Sequence, residues 1–144
     1  MDVDVEVLSE VTDEVVEAFE RLLPQLSKTA KRLDEAALSV IAASAASTVL
    51  LARVDKQIVG TLTLVTFAIP TGWRAWIEDV VVDEAARGKQ IASTLIDAAV
   101  KIARKAGART VDLTSRPSRE SAGRLYERLG FEQRETRMYR YKLT

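Results

Sequence analysis

The feature that most constrains this chain is a strand, a basic turn, a long amphipathic helix and a second strand in unbroken succession between residues 73 and 114. The first strand, residues 73–82, ends in Val80-Val81-Val82. An apolar run without alternation predicts burial on both faces and a central place in a sheet. From about residue 88 to residue 106, Ile91, Leu95, Ala99, Ile102 and Ala106 recur at helical spacing, with Lys101, Arg104 and Lys105 near the end and Gly107 beyond it. That is an amphipathic helix with its C-terminal signals. Residues 110–114 read as a short buried strand. A strand reached through a helix runs parallel to the one before it, with a right-handed crossover, so the stretch specifies a βαβ unit.

The remainder supplies antiparallel partners and covering helices. Asp2, Asp4 and Glu6 alternate with Val3, Val5 and Val7, the period-two pattern of a half-buried first strand. Its carboxylates read as a solvated face rather than a cation site. Thr12 is an N-cap for a helix through Val15, Val16, Phe19, Leu22 and Leu23, which Pro24 is expected to end. A second helix follows Asp34 through Ala36, Leu38, Ile41 and Ala45. Residues 48–54 and 58–67, rich in β-branched residues and separated by Asp55-Lys56-Gln57, predict a hairpin. Pro70-Thr71-Gly72 supplies the next turn. Residues 120–129 read as a last helix stopped by Gly130, and residues 138–143 as a final antiparallel strand. The expected fold class is mixed α/β: a central mixed sheet with a βαβ core flanked by helices, forming one domain over residues 1–144.

Composition narrows the chemistry. The 144 residues carry 21 basic and 21 acidic side chains, so no net charge favours nucleic acid or an anionic membrane. The basic residues between 116 and 128 are interrupted by Glu120 and Glu127, and no nucleic-acid partner is expected. There is no cysteine and no histidine, which excludes thiolate nucleophiles and the commonest metal ligands and bases. No metal is expected. An acidic start and the lack of a long apolar run predict a cytoplasmic protein without membrane contact.

Arg87-Gly88-Lys89-Gln90-Ile91-Ala92, followed by Ser93, joins the buried strand to the helix. Free backbone N–H groups and the positive end of the helix dipole converge there, a setting for a phosphate group. An ordinary strand-to-helix turn with solvated basic residues is the alternative. Neither Gly-x-Gly-x-x-Gly nor a Walker sequence is present.

Together with Glu78-Asp79-Val80-Val81-Val82 before it and Ser121-Ala122-Gly123-Arg124-Leu125-Tyr126-Glu127-Arg128-Leu129-Gly130-Phe131 after it, this loop resembles that of the GNAT-type N-acetyltransferases. The resemblance follows the whole chain in element order and is most specific from Trp76 to Phe131. It implies an acetyltransferase that uses acetyl-CoA and an amine acceptor. The pyrophosphate would lie on Arg87, Gly88, Lys89, Gln90, Ile91, Ala92 and Ser93, with Gln90 standing where the family usually has Gly. Val80, Val81 and Val82 would meet the pantetheine arm, through backbone groups of Val80 and Val82, and a backbone N–H near Val80 would polarise the thioester carbonyl.

By the same resemblance Tyr126 is the candidate acid for the departing thiolate, the alternative being a core tyrosine. Glu78 is the candidate water-mediated base or the attractor of a cationic amine, the alternative being a structural carboxylate paired with an arginine. Asp79 is expected on the opposite face of the strand. Arg119 stands where the family often has Asn. Trp73 and Trp76 would wall a substrate pocket, cover the interface of a homodimer, or simply pack. A catalytically weak acyl-CoA-binding or regulatory module of the same fold is the competing function.

Overall fold

The computed structural model describes residues 2–115 and 120–144, which fall into two compact units, Met1–Leu113 and Thr114–Thr144. The first unit contains β1 (Val3–Val7), α1 (Asp13–Leu26), α2 (Glu35–Ala43), β2 (Ser47–Val54), β3 (Gln57–Ile69), β4 (Gly72–Val82), a 3-10 turn (Glu84–Ala86), α3 (Ile91–Lys105) and β5 (Val111–Asp112). The second contains α4 (Glu120–Arg128).

Local signals start both early helices. The Thr12 hydroxyl accepts from the Val15 N–H at 3.3 Å, and the Asp34 carboxylate from the Ala37 N–H at 2.8 Å. Each such cap stabilises its helix by about 1 kcal/mol. Pro24 does not end α1, which continues to Leu26 and closes with the Ser27 N–H on the Leu23 carbonyl. Proline removes one donor near the last turn, and the buried face of Val15, Ala18, Phe19 and Leu22 has by then fixed the helix. α2 stops at Ala43, leaving Ala45 outside it.

The strands form a five-stranded mixed sheet in the order β1-β2-β3-β4-β5. The first four pair antiparallel and β5 runs parallel to β4. Asp55 and Lys56 make the tight β2–β3 turn, both at positive φ (50° and 68°), the requirement of a turn whose twist matches its strands. Val49, Leu51, Ile58 and Val81 pack on one face with Leu8, Val15, Ala18, Phe19, Leu22 and Leu38. On the other face α3 lies directly over β3: a Cβ on Gly60 would sit 3.2 Å from Ile91 Cγ2 and 3.3 Å from Leu95 Cδ1.

Three expectations are corrected here. β4 is an interior strand, fourth of five and paired on both sides, but only Val81 of its apolar run is buried, Val80 and Val82 being half-buried. β5 spans only Val111–Asp112. Residues 138–143 form no strand; Tyr139 and Tyr141 are exposed there (87% and 89%), and without a ladder partner extended backbone is not a strand. Among the described residues no helix is long and apolar enough to cross a membrane.

A charged clasp ties β1, β2 and α1 together. Arg53 Nε donates to Glu6 Oε1 at 2.6 Å, and Arg53 Nη1 and Nη2 donate to both oxygens of Glu14 at 2.9 and 3.0 Å. The Arg53 hydrogen bonds pull the Glu14 carboxyl below its ordinary value of 4.5, against a smaller desolvation. A carboxyl lowered in the folded state stabilises it above the unfolded pKa, and that contribution is lost as pH falls through the lowered native value. The melting temperature is therefore expected to decline below about pH 4.5. Arg53→Ala should shallow that decline, as melting curves taken between neutral and acid pH would show.

Candidate active site

Between Thr61 and Thr63 β3 advances by one intervening residue, whereas β4 advances by two between its partners Val81 and Glu78. The extra residue is a β-bulge, with Asp79 in the left-handed region at φ 51°. Strict alternation fails there, so Asp79 does not simply oppose Glu78; both are exposed. Glu78 is opposite Thr63, itself opposite Val49 of the core shared with α1 and α2, which places Glu78 on that side of the sheet.

Below the bulge, β4 pairs with β5 only at Ala75 and Trp76. From Glu78 to Val82, among the described residues, no strand covers its outer edge. The Asp83 N–H is directed to the Val59 carbonyl of β3 at 2.8 Å. Backbone groups alternate in direction along a regular strand, so those of Val82, next to Asp83 and clear of the bulge, turn toward the open edge.

The chain then makes the 3-10 turn and reaches the loop. Arg87, Gly88, Lys89 and Gln90 are exposed, Ile91 is buried, and Ala92 and Ser93 are half-buried. α3 begins at Ile91, not at residue 88, because Gly88 (φ 86°) and Gln90 (φ 59°) are both left-handed. Left-handed backbone cannot continue a right-handed helix. Glycine would adopt such a φ without the steric cost that Gln90 bears. The strained Gln90 is held by three donors on its carbonyl: Thr94 N–H at 3.1 Å, Ser93 Oγ at 2.9 Å and Thr94 Oγ1 at 2.8 Å. Gln90 makes no side-chain cap, so the first N–H groups of α3 are offered outward beside Arg87 and Lys89, suited to an anion. An open strand edge leading to an uncapped, basic helix N-terminus matches a ligand that combines amide-bearing and phosphate-bearing parts. Among the described residues no group of three or more acidic side chains is placed to hold a metal ion.

Sequence reasoning missed Thr94, Gly60 and Asp83. A glycine inside a strand signals a close approach, and Gly60 is that signal. Asp83 before Glu84-Ala85 has the form of a cap, and its carboxylate does accept from the Ala85 N–H at 3.1 Å.

In the second unit, α4 ends in a left-handed glycine, Gly130 at φ 99°. The Phe131 N–H reaches back to the Tyr126 carbonyl at 2.9 Å, and the Gly130 N–H to the Glu127 carbonyl at 3.1 Å. This C-terminal cap brings its customary apolar contact: the rings of Tyr126 and Phe131 lie 6.0 Å apart, inclined by 58°. Leu-Gly-Phe thus fixes the half-buried Tyr126 ring. Residues 116–119, including Arg119, lie outside the described residues.

The model of the acetyltransferase (GNAT) family matches residues 9–131. Among solved structures, a Trypanosoma brucei acetyltransferase is 29% identical, covering 99% of this chain and 100% of its own, with a TM-score of 0.79. A ribosomal-protein-alanine N-acetyltransferase from Brucella melitensis biovar Abortus 2308 is 26% identical, with coverage of 99% and 100% and a TM-score of 0.79. An aminoglycoside acetyltransferase from an uncultured soil metagenomic sample shares the fold at 20% identity, with coverage of 99% and 97% and a TM-score of 0.85. No curated protein matches the chain closely. With its mixed sheet and a family match over most of its length, this chain belongs to the acetyltransferase (GNAT) family of acyl-CoA-dependent transferases.

Proposed function

We propose that residues 1–144 act as one N-acetyltransferase domain that moves an acetyl group from acetyl-CoA directly to a primary amine. The observation that carries this is the uncovered β4 edge running into the uncapped N-terminus of α3. Backbone groups of Val80 and Val82, either side of Val81, pair with the pantetheine arm as an added strand. The loop Arg87, Gly88, Lys89, Gln90, with Ile91, Ala92 and Ser93 of the first turn, receives the pyrophosphate.

An alkyl ammonium has a pKa near 10.4 and must lose a proton before it can attack. Glu78 takes that proton through water and draws the cation in. The amine nitrogen then attacks the thioester carbon, whose oxygen is polarised by the strand N–H near Val80. The C–N bond forms and the C–S bond breaks. The leaving thiolate takes a proton from the Tyr126 hydroxyl, and the proton released by the amine restores the phenol. Acceptors of this class range from small amines to protein N-termini and lysines; the similar proteins above act on a ribosomal-protein alanine and on aminoglycosides by name.

Calorimetric titration with acetyl-CoA tests the cofactor site, and thiol release over a panel of amines tests turnover. Micromolar binding with amine-dependent thiol release is expected. Absence of binding would remove the assignment of the loop.

A further inference from the structure

The segment that delivers the chain from β4 to the loop is held from outside, by α1. Arg21 Nε donates to Asp83 Oδ2 at 3.2 Å, and its Nη2 donates to the Ile58 carbonyl at 2.7 Å. One helical turn further on, Gln25 Oε1 accepts from the Glu84 N–H at 2.9 Å while its Nε2 donates to the Arg21 carbonyl at 3.1 Å. Both ends of the amide are thereby used, which fixes its orientation. Asp83 in turn accepts from the Ala85 N–H. That backbone bond, with Arg21 and Gln25 beside it, holds the Asp83 carboxyl below its ordinary value against desolvation.

These contacts do not build the core. α1 is seated by Val15, Ala18, Phe19 and Leu22, whereas Arg21 and Gln25 are spaced i, i+4 and reach sideways to the two residues that open the turn. That turn carries Arg87, and its start is held both from within, where the Asp83 carboxylate accepts from the Ala85 N–H, and from α1, which engages the same carboxylate and the Glu84 N–H.

We infer, on the assignment of residues 87–93 to the acyl-CoA pyrophosphate, that Arg21 and Gln25 are positioning residues that set the acyl-CoA loop from α1. They touch no ligand. They fix where β4 ends and where the turn begins, and so the direction in which Arg87 and the α3 N-terminus face.

The test is calorimetry with acetyl-CoA on the full chain, with melting temperature recorded for each variant. Arg21→Ala combined with Gln25→Ala is expected to weaken acetyl-CoA binding about tenfold. Arg21→Lys, which keeps the charge on Asp83 but cannot fork to the Ile58 carbonyl at the same time, should fall between. Arg53→Ala breaks a clasp of similar make-up away from the loop; it should lower the melting temperature and leave the affinity unchanged, separating positioning from general loss of stability. Should the double variant fail to fold, Asp83→Asn removes the ion pair alone and should still weaken binding severalfold. Wild-type affinity in the double variant, or in Asp83→Asn, overturns the inference while leaving the loop assignment standing. Failure of the wild-type protein to bind acetyl-CoA overturns both.

Discussion

Tyr126→Phe is expected to lower kcat about 100-fold while leaving the Kd for acetyl-CoA close to the wild-type value. The substitution deletes only the hydroxyl, the proton donor assigned to the departing thiolate. It keeps the ring that meets Phe131 at 6.0 Å and the backbone carbonyl that accepts from the Phe131 N–H. The cap of α4 and the ring contact with Phe131 are therefore kept. Phenols in general, with a pKa of about 10, are matched as proton donors to thiolates of similar basicity. Loss of the hydroxyl should be most severe with acceptors whose attack is fast and whose rate depends on thiolate departure. Steady-state kinetics and calorimetry on the same preparation decide the matter: equal losses in binding and turnover would show Tyr126 to be a packing residue.

Gly60→Val should destabilise the protein by about 1–3 kcal/mol and weaken acetyl-CoA binding with it. A Cβ at this position would meet the Val81 carbonyl oxygen at 3.2 Å, Ile91 Cγ2 at 3.2 Å and Leu95 Cδ1 at 3.3 Å. The first is backbone of β4 and cannot rotate away. The other two belong to the first turns of α3, both residues buried. Valine adds two methyl groups beyond that crowded Cβ, so relief requires lifting the N-terminus of α3 off the sheet, which displaces the N–H groups to which the proposed function gives the pyrophosphate. Gly60→Ala should follow the same direction with a smaller effect. Urea unfolding gives the stability and calorimetry the affinity; a fully stable Gly60→Val protein would contradict the close approach.

What the sequence made legible was local and periodic. Thr12 and Asp34 cap where their side-chain chemistry says they should, and the stripe from Ile91 to Ala99 is buried along α3. The β2–β3 hairpin follows from β-branched runs around a short polar turn. What stayed hidden depends on partners or on φ. Nothing in Gln90 as a residue type announces a left-handed backbone, and aspartate, which enters that region more readily, does so too seldom for Asp79 to be singled out from its type alone. The alternation of Met138, Arg140 and Lys142 with Tyr139, Tyr141 and Leu143 suits a strand, but residues 131–144 carry no regular element among the described residues. Pro24 was overridden by the packing of the helix that precedes it. For the site, the strand-to-helix turn at residues 87–92 reads as a setting for an anion or as an ordinary turn, and the assignment of Val80 to Val82 comes only from the family resemblance. The clasp from Arg21 and Gln25 was not visible, because it joins residues 62 and 59 positions apart through no local pattern.

The open edge of β4 has a meaning for the protein in solution as well as for its ligand. An uncovered row of backbone donors and acceptors is a template on which a second polypeptide can polymerise. Here the row is interrupted by a bulge and begins with two exposed carboxylates, Glu78 and Asp79. Both devices discourage strand addition by another chain. On the proposed function, the same stretch can still pair with a narrow, flexible ligand that needs only a few of those hydrogen bonds.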